Sequence, residues 1–469
     1  MNISAIKKIW IMLESSFKKK ALLLQVYLLI GVLFESVGLG MMIPLVNVVT
    51  DVHAADKNIF IRFLKSHMHN TSDGGLIITV LSCFVFIYFL KTLFISFLLW
   101  KQNEFTLGLT RNISTRLFKG YLFQPYVYFL DKNSAILLRN VQSEVSSVNG
   151  YMQNFMFLQT EISVLIGIVA TLFYLEPYGA IVVFCFVGSV SYLLFFFSKK
   201  KLSKWGKERQ VSDGVRTKNL LEGLTGITEL KLFNKEKEYL DKYEESSKHM
   251  YSVMSKVQFI QQSQRYYLEF VLILSIGLLS VMVIFQGKSI NSILPSLSLF
   301  LFAALRTLPS ANRIITSLQS MRFSKAGVDL LYDELEIFKK ENENVPFTKG
   351  TTETISNEIS FENVSYQYPS AKHPSLVNVD FQITIGSVIG IIGQSGAGKT
   401  TLVNILTGLL KPSSGSVKID NRDITEHMFE LRKFVGYVPQ SIFLVDDTLK
   451  RNIALVCLII KLMICRSVM

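Results

Sequence analysis

The stretch that decides the fold of this chain is Gly393-Gln394-Ser395-Gly396-Ala397-Gly398-Lys399-Thr400-Thr401. It fits the phosphate-binding loop pattern in full. Its glycines allow successive backbone N–H groups to turn toward one point, and a helix predicted over residues 400–410 directs its positive dipole end there. Lys399 adds a full charge for two phosphates, and Thr400 offers a hydroxyl ligand for Mg²⁺. A glycine-rich turn beside an unrelated lysine is the alternative reading of the same residues.

The segments around the loop predict an incomplete α/β nucleotide-binding domain over residues 358–455. Short strands are expected at residues 359–368, 377–385 and 388–393, and the last of these leads directly into the loop. Strand, glycine loop and helix in that order are typical of nucleotide-binding folds. The preceding residues 324–357 are rich in charges of both signs, and we interpret them as a solvated linker.

The part of the chain before residue 323 has the composition of a membrane protein. The chain has 469 residues, of which 49% are hydrophobic and only 18% charged, and the apolar residues gather in long blocks. A membrane-spanning helix needs about 20 mostly apolar residues, and six segments meet that length. They are residues 21–49, 76–100, 151–175, 179–198, 265–286 and 293–318. The sequence therefore predicts an all-α, six-helix transmembrane domain over residues 21–323.

The distribution of basic residues predicts how this domain is oriented. Two long connections, residues 101–150 and 199–264, carry many lysines and arginines, so the positive-inside rule places them in the cytoplasm. Their helical periodicity predicts long cytoplasmic helices. The N-terminus and the nucleotide-binding domain are then cytoplasmic too. Because the basic residues lie beside apolar blocks, the net charge of +13 does not indicate a nucleic-acid partner.

Residues 1–20 carry an apolar stripe at helical spacing, which includes Ile6, Ile9 and Trp10, opposite a charged face with Lys7 and Lys8. This pattern favours a helix that lies in the membrane interface, and a frayed terminus is the alternative. The four cysteines have no paired spacing, so they indicate neither a zinc site nor a disulfide framework.

Cationic residues inside or at the edge of the predicted spans are candidates for a substrate pathway. They are Lys91, Arg265, Arg306 and Arg313. A charge in a membrane helix costs about 3 kcal/mol at mid-bilayer, so it normally faces a partner or a water-filled cavity. A basic cavity would suit a lipid with an anionic head group. The alternative is that these side chains reach the interface or pair with Glu35, Glu161 and Glu269.

Weaker motifs flank the loop. An aromatic pair, Tyr366 and Tyr368, precedes it, and Gly436-Tyr437-Val438-Pro439-Gln440 follows it. Together with the six spans, residues 1 to about 455 resemble an ATP-binding cassette exporter of the half-transporter kind. The resemblance implies ATP and Mg²⁺ as cofactors, with Tyr368 against adenine (Tyr366 the fallback) and Lys399, Thr400 and Thr401 at the phosphates and the metal. It also implies that Gln440 reaches the Mg²⁺ and the attacking water.

The family resemblance has further implications. Coupling helices are expected near residues 128–133 and 233–237, and the working protein is expected to be a homodimer or a heterodimer with another half-transporter in the bacterial inner membrane. The membrane half is similar to flippases of lipid-linked oligosaccharides in three stretches, which implies ATP-driven export of such a lipid. These are residues 133–141, 230–236 and 298–315. A peptide or other-substrate exporter is the alternative on the same scaffold.

The chain also departs from the family pattern. Residues 1–469 contain no Leu-Ser-Gly-Gly-Gln signature and, by the resemblance, no catalytic glutamate to act as general base. The apolar run that follows Ala454 does not fit the family, and we interpret residues 456–469 as an aberrant tail, such as a shifted reading frame produces. The expectation is ATP binding with negligible hydrolysis by this copy alone. A non-catalytic ATP-binding subunit that pairs with an intact half-transporter is the alternative function.

Overall fold

The computed structural model of the protein describes most of the chain. The described residues are 4–40, 62, 73–175, 177–285, 290–342, 357–425, 435–439 and 444–454. They divide into two compact units. The first unit comprises Met1–Gln124 and Lys132–Val345, and the second comprises Pro125–Asp131 and Pro346–Met469.

Helices dominate the described residues. In chain order they are α1 (Ala5–Met12), α2 (Ser15–Gly40), α3 (Asp73–Leu122), α4 (Tyr126–Asp131), α5 (Ser134–Arg139), α6 (Val145–Leu175), α7 (Pro177–Thr225), α8 (Ile227–Leu232), α9 (Glu236–Phe285), α10 (Ile290–Asn342), α11 (Lys399–Leu406) and α12 (Leu449–Ala454). A π-helical turn, Asn140–Glu144, joins α5 to α6. The strands are β1 (Glu358–Tyr366), β2 (Leu376–Thr384), β3 (Ser414–Ile419) and β4 (Arg422–Asp423).

The first unit confirms the prediction of a helical domain with very long helices. Helices α3, α7, α9 and α10 have 50, 49, 50 and 53 residues. At 1.5 Å per residue each is about 75 Å long, whereas the hydrocarbon core of a bilayer is about 30 Å thick. Each predicted span falls within a single helix as far as it is described, the first in α2 and the third in α6; residues 41–49 and 286 lie outside the described residues.

Two stretches of helix among the described residues, Gly74–Leu122 and Ser134–Ala170, are long and apolar enough by themselves to cross a membrane. The number of membrane crossings and the orientation of the domain therefore stay predictions.

Close approach of the helix backbones holds the first unit together. Helices α7 and α10 meet at Gly206, where an added Cβ atom would lie 2.2 Å from the carbonyl oxygen of Phe323. A second contact between the same helices and α9 is apolar, and its buried members are Val187, Leu268, Ala311 and Ile315. At position 206, only glycine lets α7 and α10 approach so closely.

Residues 324–342 correct the interpretation of residues 324–357 as a solvated linker, because they continue α10 and pack inside the first unit. Val328 and Leu331 are fully buried, and Leu335 and Phe338 are nearly so. These four residues recur at helical spacing and form one apolar face. The surrounding charges, which suggested a linker, occupy the opposite face of the same helix.

The N-terminal helix α1 packs on the first unit through Ile9 and Met12, which are buried, while Ile6 and Trp10 remain exposed. The Lys8 ammonium lies 2.8 Å from a carboxylate oxygen of Asp329 on α10. The predicted apolar stripe thus divides between a packed side and an exposed side. An exposed apolar side is what an interfacial helix requires, and the interfacial location stays a prediction.

The second unit is built on an antiparallel sheet with strand order β2-β1-β3-β4. Phe361 is opposite Phe381 on one neighbouring strand and Val417 on the other. Together with Ile405 of α11, these inward-facing positions form a compact core beside the loop. Helix α11 ends earlier than predicted because Gly408, at φ +68°, takes a left-handed conformation that stops it.

Residues 388–393 form no strand, although an apolar strand was predicted there. Val388 and Ile392 are almost fully exposed. A buried strand requires hydrogen-bonded neighbours on its flanks, and the described sheet offers none to this segment. The apolar run therefore has the composition of a core strand but not its environment.

Candidate nucleotide-binding site

The backbone of the predicted phosphate loop has the geometry that the motif requires. Gly396 and Gly398 have φ values of +84° and +85°, in the left-handed region that only glycine enters readily. A Cβ atom on Gly398 would also lie 2.5 Å from the carbonyl oxygen of Ser375 and 2.9 Å from a methyl of Leu376. Gly398 is the N-cap of α11, so the loop leads directly into the N-terminus of this helix. These positions need glycine for conformation, and Gly398 needs it for space as well.

The side chain of Lys399 closes the loop on itself. Its Nζ donates hydrogen bonds of 2.6 Å to the carbonyl oxygens of Gly393 and Gln394. The backbone N–H of Ala397 donates to the Gln394 oxygen at 3.2 Å. The ammonium therefore lies where the loop amides and the helix dipole already favour an anion. This arrangement fits a nucleotide phosphate.

The two threonines after Lys399 differ in what their hydroxyls are free to do. Thr400 is exposed, so its hydroxyl is accessible to a ligand. Thr401 is only 5% exposed, and its Oγ1 lies 3.1 Å from the phenolic oxygen of Tyr368. Thr400 thus fits the metal position, because a hydroxyl oxygen is a ligand that Mg²⁺ accepts alongside phosphate oxygens. Thr401 instead holds the aromatic residue beside the loop.

The two tyrosines that are candidates for contact with adenine differ in how far they are buried. Tyr366 is buried in the core of the second unit, and burial raises the pKa of its phenol, with smaller contributions from Tyr368 and Asp131. Tyr368 is half-buried and packs edge-on against Tyr366, with ring centroids 4.9 Å apart. Only Tyr368 of this pair has a ring that solvent reaches appreciably. The fallback residue, Tyr366, is used for packing.

Gln440, predicted to reach the metal and the attacking water, lies outside the described residues. Its role stays a prediction.

The predicted substrate-pathway cations have several different environments. The Arg313 guanidinium lies 2.7 Å from Glu161, and the Arg265 guanidinium lies 2.7 Å from Glu269 one helical turn away. Lys91 is buried on α3, with its ammonium 4.7 Å from the ring centroid of Tyr88. Arg306 lies in α10, but its side chain is outside the described part of the chain. The pairing that the sequence left open as an alternative is present for Arg265 and Arg313.

A buried charge cluster at the π-helical turn was not anticipated from the sequence. Glu144 is fully buried and accepts hydrogen bonds of 3.0 and 2.9 Å from Arg209. Arg139 lies 3.9 Å from the same carboxylate and donates to the Gln210 carbonyl oxygen. Arg209 is 65 residues from Glu144 in the sequence, and no motif links them, so spacing alone could not have found this pair.

Helix α4 lies in the predicted connection 101–150, and helix α8 lies in the predicted connection 199–264. Helix α4 belongs to the second unit, where Val127 packs against the core that contains Tyr366 and Leu376. Helix α8, at Ile227–Leu232, ends just before the region expected from the sequence. Among the predicted coupling segments, α4 thus packs directly beside the strand that leads to Tyr368.

Comparison with known proteins adds two family matches. The family described as ABC transporter transmembrane region matches residues 26–305, and the family described as ABC transporter matches residues 376–460.

Individual relatives carry the name ATP-dependent lipid A-core flippase. The protein of Wigglesworthia glossinidia brevipalpis is 24% identical over 376 residues, which cover 78% of this chain and 61% of the relative. That of Aliivibrio fischeri is 25% identical over 348 residues, 73% of this chain and 58% of the relative. That of Photobacterium profundum is 24% identical over 458 residues, 97% of this chain and 74% of the relative. The matches thus span about three fifths of the length of the first two relatives.

Proposed function

This chain belongs to the family of ABC transporters, and we propose that it is one half of an ATP-driven exporter. The exporter flips an amphipathic lipid across the bacterial inner membrane. The observation that carries the proposal is the phosphate loop, in which Lys399 bonds to the loop carbonyls and Gly398 caps α11, on a chain whose residues 26–305 match the family's membrane region. The names of the relatives support a lipid rather than a peptide as the transported molecule.

The nucleotide is proposed to bind with its phosphates on the loop and its base beside Tyr368. The loop amides and Lys399 hold the β- and γ-phosphates, and the exposed hydroxyl of Thr400 is a metal ligand. Thr400 and Gln440 would hold a Mg²⁺ ion, which would neutralise part of the phosphate charge. Gln440 is proposed to orient water at the same point.

Helix α4 is proposed to transmit the state of the nucleotide site to the membrane helices. It lies between α3 and α5 in the chain, yet it packs with Val127 on the core of the second unit. A movement of β1 or of the loop-bearing core would therefore act on the ends of α3 and α5 through their short connections. Helix α8 is proposed to have the same role in a dimer, on the partner's nucleotide-binding domain.

The finer proposal for the substrate is a lipid-linked oligosaccharide. Arg313 supports it, because this guanidinium is two-thirds exposed even while it pairs with Glu161. An exposed arginine paired on one side keeps N–H donors available for an anionic head group. The proposed partner is a second half-transporter, either the same chain or a different one.

Transport by the reconstituted chain would test this function. Proteoliposomes would contain a fluorescent lipid-linked oligosaccharide, with the chain present alone or co-expressed with a second half-transporter. Because the chain alone is expected to hydrolyse little ATP, we expect the co-expressed pair to show ATP-dependent loss of accessible label, and ATP hydrolysis stimulated by the glycolipid but not by a peptide of the same charge. Stimulation by the peptide alone would replace the lipid with a peptide as substrate. ATP binding without flipping in every pairing would contradict the proposal.

A further inference from the structure

A cavity of about 550 Å³ lies between α2 and α3, and neither the phosphate loop nor Arg313 contributes to its lining. Its volume is in the range of about 300–1,000 Å³ that is usual for ligand pockets. Its lining combines cations with aromatic and aliphatic side chains. The lining residues are Phe17, Lys20, Leu23, Leu24, Tyr27, Lys101, Glu104, Phe105, Leu107, Gly108 and Arg111.

The polar part of this lining is positively charged. Lys20, Lys101 and Arg111 face one carboxylate, Glu104, so the cavity carries two excess positive charges. Glu104 is already engaged by Lys101, whose ammonium lies 2.8 Å from it. Within the described part of the chain, Lys20 and Arg111 have no carboxylate within 4 Å. The cavity therefore complements an anion.

Part of the apolar lining, Leu23, Leu24 and Tyr27, continues from Lys20 into the apolar run of α2. Lys20 directly precedes the long apolar run of α2, and Lys101 directly follows that of α3. The two helices run antiparallel at this level, as the ring contacts Phe17–Phe105 and Tyr27–Phe97 show, with centroids 6.1 and 5.5 Å apart.

From Lys20 to Tyr27 the cavity lining extends about 10 Å into the apolar run. Leu23 is half exposed along this wall, and Trp100 is exposed beside Lys101. An exposed tryptophan next to a lysine is typical of the membrane–water boundary. The cavity thus has Lys20 and Lys101 where the apolar runs begin and end, and an apolar end formed by Leu23, Leu24 and Tyr27.

We propose that this cavity binds one anionic glycerophospholipid of the surrounding membrane, with its phosphate at Lys20 and Lys101 and an acyl chain along Leu23 and Tyr27, while Arg111 adds positive charge farther along α3. A free phosphate would use the cations but not the apolar wall. A zwitterionic lipid would use the wall, but its own cation would oppose the excess positive charge. The site is separate from the proposed transport pathway and does not rest on the identity of the transported lipid.

Native mass spectrometry of the full chain in detergent tests the proposal, with dioleoyl-phosphatidylglycerol and dioleoyl-phosphatidylcholine as probes. The variant K20Q/K101Q/R111Q removes the three cavity cations. The matched control K18Q/K19Q/K119Q removes three cations from the same two helices outside the cavity. Because each lysine or arginine near a membrane surface contributes substantially to anionic-lipid binding, we expect the first variant to weaken binding of the first phosphatidylglycerol by at least about tenfold. The control should bind within about twofold of the wild type.

Three results would overturn the proposal: equal weakening in both variants, equal binding of phosphatidylcholine by the wild type, or displacement of phosphatidylglycerol by inorganic phosphate. ATP-analogue binding by both variants verifies that the chain is folded. The exposed single variant K20E, expected to weaken binding as well, provides the same comparison if the triple variant does not fold. Failure here would leave the proposed ATP-driven function untouched, because neither variant changes the phosphate loop.

Discussion

Arg209 donates hydrogen bonds of 3.0 and 2.9 Å to the two carboxylate oxygens of the fully buried Glu144, which lies 65 residues away in the sequence. This pair ties α7 to the π-helical turn that precedes α6. A second guanidinium, that of Arg139, lies 3.9 Å away. Two cations around one carboxylate, out of contact with water, make the carboxylate indispensable to this junction.

Replacement of Glu144 by Gln should strongly destabilise the first unit, because it leaves two buried guanidinium groups without a counter-charge. We expect a loss of about 3 kcal/mol, seen as a lower melting temperature in detergent. The matched control is Glu238→Gln, which removes an exposed carboxylate paired with Lys235 and Lys242. That change should leave the melting temperature close to that of the unchanged protein, because an exposed ion pair contributes little. Equal losses in the two variants would show that the buried pair has no special importance.

Replacement of Lys399 by Ala should abolish most binding of an ATP analogue to the full chain. The ammonium donates hydrogen bonds of 2.6 Å to the loop carbonyl oxygens of Gly393 and Gln394. We expect affinity to fall by at least about tenfold, the equivalent of one charge-assisted hydrogen bond. Lys450→Ala, an exposed lysine of α12, is the control. Fluorescent-nucleotide titration measures both, and unchanged binding by Lys399→Ala would remove the loop from the proposed function.

Three glycine-to-alanine changes should separate backbone strain from steric clash. Gly398→Ala introduces both, since φ is +85° and Ser375 leaves no room for a Cβ atom. Gly396→Ala introduces strain alone, and Gly390→Ala introduces neither. We expect losses of more than about 3, about 1 and near 0 kcal/mol respectively in the stability of the second unit. Thermal unfolding gives this order, and a Gly390 variant as unstable as Gly398→Ala would contradict the described loop.

Replacement of Tyr368 by Ala should weaken nucleotide binding, whereas Tyr368→Phe should largely preserve it. A base that stacks on an aromatic ring gains about 1–3 kcal/mol, which the phenylalanine retains. The matched variant Tyr366→Ala removes a buried ring of the same kind and should mainly lower the melting temperature. If Tyr366→Ala lowered affinity at unchanged stability while Tyr368→Ala did not, the assignment of the adenine position would be reversed.

Residues 324–342 form part of a packed helix, although their charge pattern predicts a solvated linker. The same residues carry an apolar face at helical spacing, Val328 and Leu331 among them, which the density of charged residues obscured. The predicted strand 388–393 shows the opposite case. Its composition favours burial in a sheet, but hydrogen-bonded neighbours decide whether a strand forms, and the described sheet provides none.

By itself the sequence determined the phosphate loop and the long apolar helices, because both depend on local interactions: nine successive residues shape the loop, and about 20 apolar residues suffice to span a bilayer. Tertiary structure alone decided which of two tyrosines remains accessible, which of two threonines has a free hydroxyl, and which carboxylates pair with Arg209 and Arg313. Those outcomes depend on contacts between residues 33 to 152 positions apart in the chain, and local sequence patterns carry no information about such distances.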